Sequence, residues 1–184
     1  MHTYVLLIRG INVGGKSKVP MAELKQCLHE IGFHDALTYI QSGNAIVRSE
    51  LDAAAVSQRV EAMLAEKFEL AHTSTKVLAL TGAQLQAVVD SKPPGFGDDP
   101  QMYYSDAIFL IDVDVADAML VFSPREGVDA VWPGNGVIYS QRLGAQRTKS
   151  RLSKIVASSL YKSMTIRSWS TITKLLALVK GLDA

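Results

Sequence analysis

Short apolar segments recur along the chain in an order that leaves few folds open. In the first eighty residues their spacing alternates between the period of a buried strand and that of a helix packed on one face. The segments in order are a strand at 4–8, a helix from Pro20 to Ile31, strands at 36–40 and 45–48, a helix capped by Asp52, and a strand at 76–80. This order, strand, helix, strand, strand, helix, strand, is the split pattern of a ferredoxin-like unit.

The second half of the chain repeats the order of the first without visible sequence identity. After a helix at 83–89 and a Pro- and Gly-rich break at 93–97, the pattern predicts these elements: a strand at 107–111, a helix at 115–122, a hairpin of 130–132 with 137–139, a helix at 150–160, a strand at 164–167 and a last helix capped by Ser170. We therefore predict an α+β fold of two consecutive ferredoxin-like (βαββαβ) units with antiparallel sheets. Residues 1–80 form the N-terminal unit, 81–105 a helix and linker, and 106–184 the C-terminal unit.

Length and composition exclude several classes of protein. A chain of 184 residues with 48% hydrophobic residues is long and apolar enough to bury a core. Cys27 is the single cysteine and the four histidines lack ligand spacing, so we predict no disulfide framework, no metal site and no cofactor. The chain opens without the pattern of a signal peptide and holds no apolar run long enough to cross a bilayer. We expect a cytoplasmic protein with no membrane partner.

The formal net charge of +1 conceals a strong polarity. Residues 1–141 hold 10 Lys and Arg against 17 Asp and Glu, a balance of −7, whereas residues 142–184 hold 9 against one, a balance of +8. A basic end of this kind is typical of a phosphate-rich or nucleic-acid partner. The alternative is a solvated basic face that pairs with the acidic remainder of the fold.

The loop after the first strand satisfies the spacing of a phosphate-binding Walker A motif. Gly10, four residues, then Gly15-Lys16-Ser17 follow a strand, as in nucleotide-binding proteins. In that motif the lysine stands at the start of a helix, whose amides then converge on the phosphate. Here Val19 precedes Pro20, and a residue before proline is pushed out of the helical region. The helix is expected to begin four residues too late, which argues against a nucleotide-hydrolysing site.

Two polar segments are nevertheless expected to share one end of the first sheet. The loop 9–18 offers basic and amide side chains beside glycines, and the turn 41–44 leads into the neighbouring antiparallel strand. The candidate ligand-binding residues here are Arg9, Gly10, Asn12, Gly14, Gly15, Lys16, Gln41, Ser42 and Asn44. Glycines let a backbone approach a ligand and expose its amides to an anion. The alternative is a pair of structural turns.

A third polar string lies at the start of the last helix. Arg167, Trp169 and Lys174 place an indole among cations at that point. The helix amides and cations suit a phosphate, and the indole could stack on a base. The alternative is that Trp169 anchors the helix to the core.

Three strings resemble the domain of unknown function 1697 family. They are 7–24, beginning Leu7-Ile8-Arg9-Gly10, the string 38–44, and 165–175. In the last string that family usually carries Arg-Asn-Trp-Asn-Thr, where this chain has Ser168 and Ser170 in place of the two asparagines. The resemblance implies an α+β fold and supplies neither a reaction nor Walker A chemistry.

No residues form a convincing nucleophile with its base, so binding is easier to argue than catalysis. We predict a binding protein for a phosphate-bearing ligand, nucleic acid included, that acts through the basic C-terminal quarter and the loop 9–18. The alternative is a small cytosolic enzyme or metabolite-binding protein acting on an anionic small molecule at the loop 9–18 and the turn 41–44. A third hypothesis is a regulatory protein that acts through its own assembly; the sequence does not fix an oligomeric state.

Overall fold

The computed structural model of the protein describes residues 1–13, 17–70 and 75–183. The backbone forms two compact units. The first comprises Met1–Leu85 with Leu175–Ala184, and the second comprises Gln86–Lys174. The domain boundaries expected from the sequence, 1–80, 81–105 and 106–184, stay a prediction.

The first unit is a four-stranded antiparallel sheet with two helices. Its elements are β1 (His2–Arg9), α1 (Met21–Glu30), β2 (Leu37–Tyr39), β3 (Asn44–Ser49), α2 (Ala53–Lys67) and β4 (Lys76–Thr81). The strand order is β2-β3-β1-β4, so β1 pairs with both β3 and β4. Each of these elements lies where the apolar periodicity predicts it.

Local sequence fixes where the two helices of this unit begin. α1 starts at Met21, directly after the extended residue Pro20, which confirms the late helix start expected from Val19-Pro20. α2 starts after Asp52, whose carboxylate accepts a hydrogen bond from the Ala55 amide at 2.8 Å. Both helices bury apolar stripes over β1 and β3. The buried side chains on these helices are Leu24, Cys27, Leu28, Val56, Val60, Met63 and Leu64.

The second unit contains a second antiparallel sheet of four strands. Beyond α3 (Gly82–Asp90), the elements are β5 (Tyr103–Leu110), α4 (Val115–Met119), β6 (Asp129–Pro133), β7 (Val137–Leu143), β8 (Met164–Ser168) and α5 (Trp169–Asp183). The strand order is β6-β7-β5-β8. The fold is therefore α+β with two four-stranded antiparallel sheets, as predicted. None of the helices in the described part of the chain is long and apolar enough to span a membrane.

The helix predicted at 150–160 is wrong. Three 3-10 turns join β7 to β8, at Gly144–Lys149, Leu152–Ala157 and Ser159–Ser163. The hydroxyls of Ser150 and Ser158 accept hydrogen bonds from amides two residues further on, at 3.2 and 3.1 Å. Serine side chains that bond the nearby backbone in this way compete with a continuous α-helix.

The Pro- and Gly-rich run that the sequence suggests as a linker packs into the second unit. Phe96 is fully buried, and its ring meets those of Tyr139 and Trp169 edge to face at 5.2 and 5.0 Å between centroids. The Tyr139 hydroxyl donates to the Val88 carbonyl at 2.6 Å. Edge-to-face aromatic pairs add about 0.5–1.5 kcal/mol beyond their buried area.

In both sheets, the carbonyl of a hairpin glycine accepts a hydrogen bond from the end of the central strand. In the first, the Ile8 amide donates to the Gly43 carbonyl at 2.8 Å, and in the second the Leu110 amide donates to the Gly136 carbonyl at 3.1 Å. Both glycines have positive φ, at 78° and 69°. A Cβ at Gly43 would lie 2.7 Å from the Ile8 carbonyl oxygen, whereas a Cβ at Gly136 would meet nothing within 4 Å.

These hairpins give a matched pair of variants. Alanine at either position must adopt a left-handed backbone conformation, which costs about 1–2 kcal/mol. Only Gly43→Ala also brings a Cβ into a clash with the backbone. We expect Gly43→Ala to lower the free energy of unfolding in urea clearly more than Gly136→Ala. Equal losses in the two variants would show that the close approach at Gly43 does not constrain the sheet.

Candidate functional site

The structure brings the loop after β1 and the turn before β3 together, as the sequence predicts. The Asn12 side chain joins them: its Nδ2 donates to the carbonyl oxygens of Val19 at 2.9 Å and Gln41 at 3.0 Å. Its Oδ1 accepts from the Val19 amide at 2.8 Å. One amide side chain therefore closes the loop 10–19 and fastens it to the turn 40–43.

The side chain of Asn44, the second predicted site residue with an amide, also forms a hydrogen bond with the backbone. It is fully buried, and its Nδ2 donates to the Tyr39 carbonyl at 3.1 Å and to Ser42 Oγ at 2.8 Å. Gln41, Ser42 and Lys18 are exposed, and Arg9 and Gly10 are half-buried. The predicted site residues Gly14, Gly15 and Lys16 lie outside the described residues. The two asparagines thus hold the segments together, and the exposed groups beside them are what a ligand would meet.

Backbone strain concentrates in the same place. Of the four non-glycine residues with positive φ in the described chain, three are Asn12, Ser17 and Ile40, at 56°, 50° and 48°. Left-handed backbone is unfavourable for a β-branched residue such as Ile40. Strained residues of this kind cluster at functional sites in many proteins.

The third predicted segment, at the end of β8, is divided between core and surface. Arg167 is only 7% exposed, and its guanidinium donates to Thr165 Oγ1 at 3.0 Å and to the Ile166 carbonyl at 2.8 Å. Burial lowers the pKa of Arg167 to about 10. Trp169 is 8% exposed and packs on Phe96, so it anchors the start of α5, whereas Lys174 is exposed.

Ser168, and not Ser170, caps the last helix. Its Oγ accepts from the Thr171 amide at 3.3 Å and shares hydrogen bonds with the hydroxyls of Ser170 and Thr171 at 3.1 and 2.8 Å. The cap expected at Ser170 is wrong by two residues, because α5 already begins at Trp169. Serine and asparagine are both preferred N-caps, so Ser168 keeps this role where the resembling family has asparagine.

A groove lies where β8 ends and α5 begins, and we call it the β8–α5 groove. β8 ends at Ser168, opposite Asp106, so the first three residues of β5 have no strand beside them on that side. The groove has a volume of about 410 Å³. It is lined by Gly97, Pro100, Tyr103, Tyr104, Ser105, Asp106, Arg142, Ser168, Trp169, Ser170 and Thr173.

Two charged side chains of this groove lack hydrogen-bonding partners. Asp106 and Arg142 form no hydrogen bond or salt bridge with the part of the chain that the structure describes. Burial raises the pKa of Asp106, and the nearby positive charge of Arg142 opposes that rise. The Arg142 guanidinium lies 5.6 Å from the centre of the Tyr104 ring, and its Nε is buried without an acceptor.

Sequence reasoning missed Asp106, Tyr103 and Tyr104 as site residues and treated Arg142 only as charge. One signal was available, because Asp106 is an acid inside the otherwise uncharged strand 103–110. An acid in the middle of a strand is uncommon unless it is exposed or paired. What the sequence could not supply is the residue at which β8 ends.

The basic residues between β7 and β8 form a separate feature. We call residues 144–163 the basic segment, since they hold Arg147, Lys149, Arg151, Lys154 and Lys162 and no acid. All five cations are exposed. None of them makes a salt bridge within residues 1–13, 17–70 and 75–183.

Neither a nucleophile nor a metal site stands out among the described residues. Cys27 is 6% exposed, and burial raises the pKa of its thiol, which disfavours the reactive thiolate. Nowhere in the described ranges do three His, Cys, Asp or Glu side chains come together as metal ligands would. The exposed acid Asp114 caps α4 by accepting from the Ala116 amide at 3.4 Å.

Comparisons with known proteins give a family and a fold. A family profile described as "Protein of unknown function (DUF1697)" matches residues 1–139. The solved structure of the conserved bacterial protein SP0830 from Streptococcus pneumoniae is similar over 97% of this chain and 98% of that chain, with 26% identity and a TM-score of 0.80. No curated protein matches the chain. The profile match ends before the basic segment and before β8.

The role of Asn12 can be tested against its neighbour. Asn12→Ala removes three hydrogen bonds, two of them to the amide and carbonyl of buried Val19, so we expect a loss of about 2–3 kcal/mol in the free energy of unfolding. Gln41→Ala is the control, because Gln41 takes part through its backbone carbonyl and its side chain is exposed. Urea titrations followed by circular dichroism measure both. A loss at Asn12 no larger than at Gln41 would contradict the structural role.

Proposed function

The chain belongs to the DUF1697 family of proteins of unknown function, and we propose that it binds nucleic acid through the basic segment of its second unit. The observation that carries this proposal is the set of five exposed cations, without ionic partners in the described chain, on a stretch that holds no acid. Nucleic-acid binding depends largely on cations that replace the counterions of the phosphates.

The basic segment is held to the sheet by contacts that leave its cations outside. Asp129 at the start of β6 accepts from the backbone amides of Arg151 at 2.8 Å and Arg125 at 3.0 Å. Burial raises the pKa of Asp129, but hydrogen bonds from Arg151, Ser150 and Arg125, together with the nearby charge of Arg142, outweigh it and lower the pKa overall. A backbone fixed in this way reduces the ordering that binding would otherwise require.

Apolar side chains of the same segment strengthen this attachment. Leu152 and Ile155 are buried, and Ile155 packs with Ile108, Ile138 and Met164 of the sheet. Lys154, the neighbour of Ile155, is exposed. The 3-10 turns thus bury Leu152 and Ile155, three residues apart, and present cations to solvent.

A chain-like polyanion fits this arrangement better than a single phosphate. Four of the cations belong to three successive 3-10 turns, and Arg151 lies between the first two of these turns. A site for one phosphate group needs donors that converge on one point, whereas a nucleic-acid backbone presents a phosphate at every nucleotide. We therefore favour nucleic acid over a small phosphorylated molecule at the basic segment.

The first unit is a second candidate site, for a small anionic molecule. The clustering of three strained residues, Asn12, Ser17 and Ile40, around the loop and turn favours it. Exposed Lys18, Gln41 and Ser42 would supply the polar contacts. In this reading the protein is a metabolite-binding protein or a small enzyme.

Two further proposals concern the type of fold in each unit and the cellular location of the protein. We propose that each sheet with its crossovers is a ferredoxin-like unit, supported by the equivalent strand orders β2-β3-β1-β4 and β6-β7-β5-β8. The second unit departs from that pattern because 3-10 turns replace its second helix. We also propose a cytoplasmic location, as the sequence predicts.

Fluorescence anisotropy with a labelled single-stranded RNA and a DNA duplex tests the proposal. We expect binding whose affinity falls steeply with salt. Five neutralised phosphates give a slope of log K against log salt of about −3.5 on single strands and about −4.5 on duplex DNA. Absence of binding at 50 mM salt, or binding that salt does not weaken, would contradict the proposal.

Two variants of equal net charge localise the site. The test variant is Arg147→Gln, Lys149→Gln and Lys154→Gln together, and the control is Lys25→Gln, Arg48→Gln and Lys180→Gln, which are exposed cations elsewhere. We expect the test variant to bind at least about tenfold more weakly with a slope reduced by about 2 on single strands. The control should keep the slope of the unaltered protein, and equal losses in both would show that only net charge matters.

A further inference from the structure

We propose that the β8–α5 groove binds a small zwitterion, a molecule with a cationic nitrogen close to an anionic group, of which a free α-amino acid is the simplest. The groove is distinct from the basic segment, and this inference does not depend on nucleic-acid binding. It rests on two opposite charges that line the groove side by side and form no hydrogen bond or salt bridge within the described chain.

Asp106 supplies the negative charge. Asp106 is half-buried, burial raises the pKa of its carboxyl group, and the carboxylate accepts no hydrogen bond from the described chain. A desolvated carboxylate without donors is unfavourable unless it gains a partner. An ammonium group with three N–H donors is the partner that this acceptor lacks.

Arg142 supplies the positive charge next to it. Arg142 lies opposite Tyr104 across the β5–β7 pair, and Asp106 lies two residues further along β5, so the two charges are diagonal neighbours on one face of the sheet. Diagonal neighbours are about 7–8 Å apart, which fits the absence of a salt bridge between them. Asp129 lies directly opposite Arg142 on β6, but the two side chains form no salt bridge among the described residues, and the buried Nε of Arg142 has no acceptor.

The guanidinium of Arg142 favours an anionic group at its end of the groove, because its fixed N–H donors match the geometry of a carboxylate. The start of α5 lines the groove from the other side of β5, where Ser168 lies opposite Asp106. A cation bound at Asp106 and an anion bound at Arg142 together describe one zwitterion spanning the two.

The size and apolar lining of the groove set limits on the ligand. Its volume of about 410 Å³ lies near the lower end of the range for small-molecule sites, about 300–1,000 Å³. Tyr103, Tyr104 and Trp169 line it, and aromatic faces attract both cations and apolar groups. An amino acid with an apolar or aromatic side chain meets these conditions.

Isothermal titration calorimetry with the twenty L-amino acids, one at a time, tests the inference on the unaltered protein. We expect at least one to bind with a dissociation constant below about 1 mM. Its N-acetyl derivative, which lacks the cation, and its carboxamide, which lacks the anion, should each bind at least tenfold more weakly. No binding by any amino acid at 10 mM, or equal binding of the derivatives, would overturn the inference.

Variants then test which residue binds the cationic group of the ligand and which binds its anionic group. Asp106→Asn should abolish the preference for the free amine over its N-acetyl form, and Arg142→Gln should abolish the preference for the carboxylate over its amide. Asp117→Asn, at an exposed acid of α4, is the control and should leave both preferences unchanged. Retention of both preferences in Asp106→Asn and Arg142→Gln would show that the ligand binds elsewhere. If a variant does not fold, the derivatives on the unaltered protein still decide the matter.

Discussion

The packing of Trp169 on Phe96 determines how the second unit is laid out. The two rings meet edge to face with 5.0 Å between centroids, and a Cβ at Gly97 would lie 2.2 Å from the indole. Only glycine therefore allows the indole to lie against this backbone. Because Trp169 is the first residue of α5, the contact fixes the residue at which β8 gives way to the helix.

The end of β8 in turn creates the charged groove. β5 continues for three residues beyond its last pair with β8, so Tyr103, Tyr104 and Ser105 border an open edge. Asp106 lies beside that edge, opposite Ser168, and Arg142 lines the groove from β7 on the other side of β5. The basic segment depends on different contacts, chiefly Asp129 and the buried Ile155. The same sheet thus carries two surfaces of different chemistry, one compact and zwitterionic and one extended and cationic.

The sequence predicts the sheets well because apolar runs mark their strands and glycines mark their turns. It also predicts that Asn12 and Gln41 lie together, since antiparallel neighbours share a sheet end. Prediction from the sequence is wrong where a single tertiary contact determines whether a residue is buried. Phe96 lies in a run whose Pro and Gly residues suggest a linker, yet its aromatic ring is fully buried and ties this run to the core. Arg167 counts as a basic residue in any charge sum but is buried, so composition cannot tell which cations reach solvent.

The structure shows where the basic residues behind the charge polarity of the chain lie. Of the nine cations after residue 141, five belong to the exposed basic segment, whereas Arg142 lies in the groove and Arg167 in the core. The central claim is that these five meet the phosphates of a nucleic acid. An amide-resolved NMR titration with a single-stranded oligonucleotide tests it most directly. The account predicts that shifts concentrate in residues 144–163 and fade at high salt. Shifts confined to other residues, or none at low salt, would contradict it.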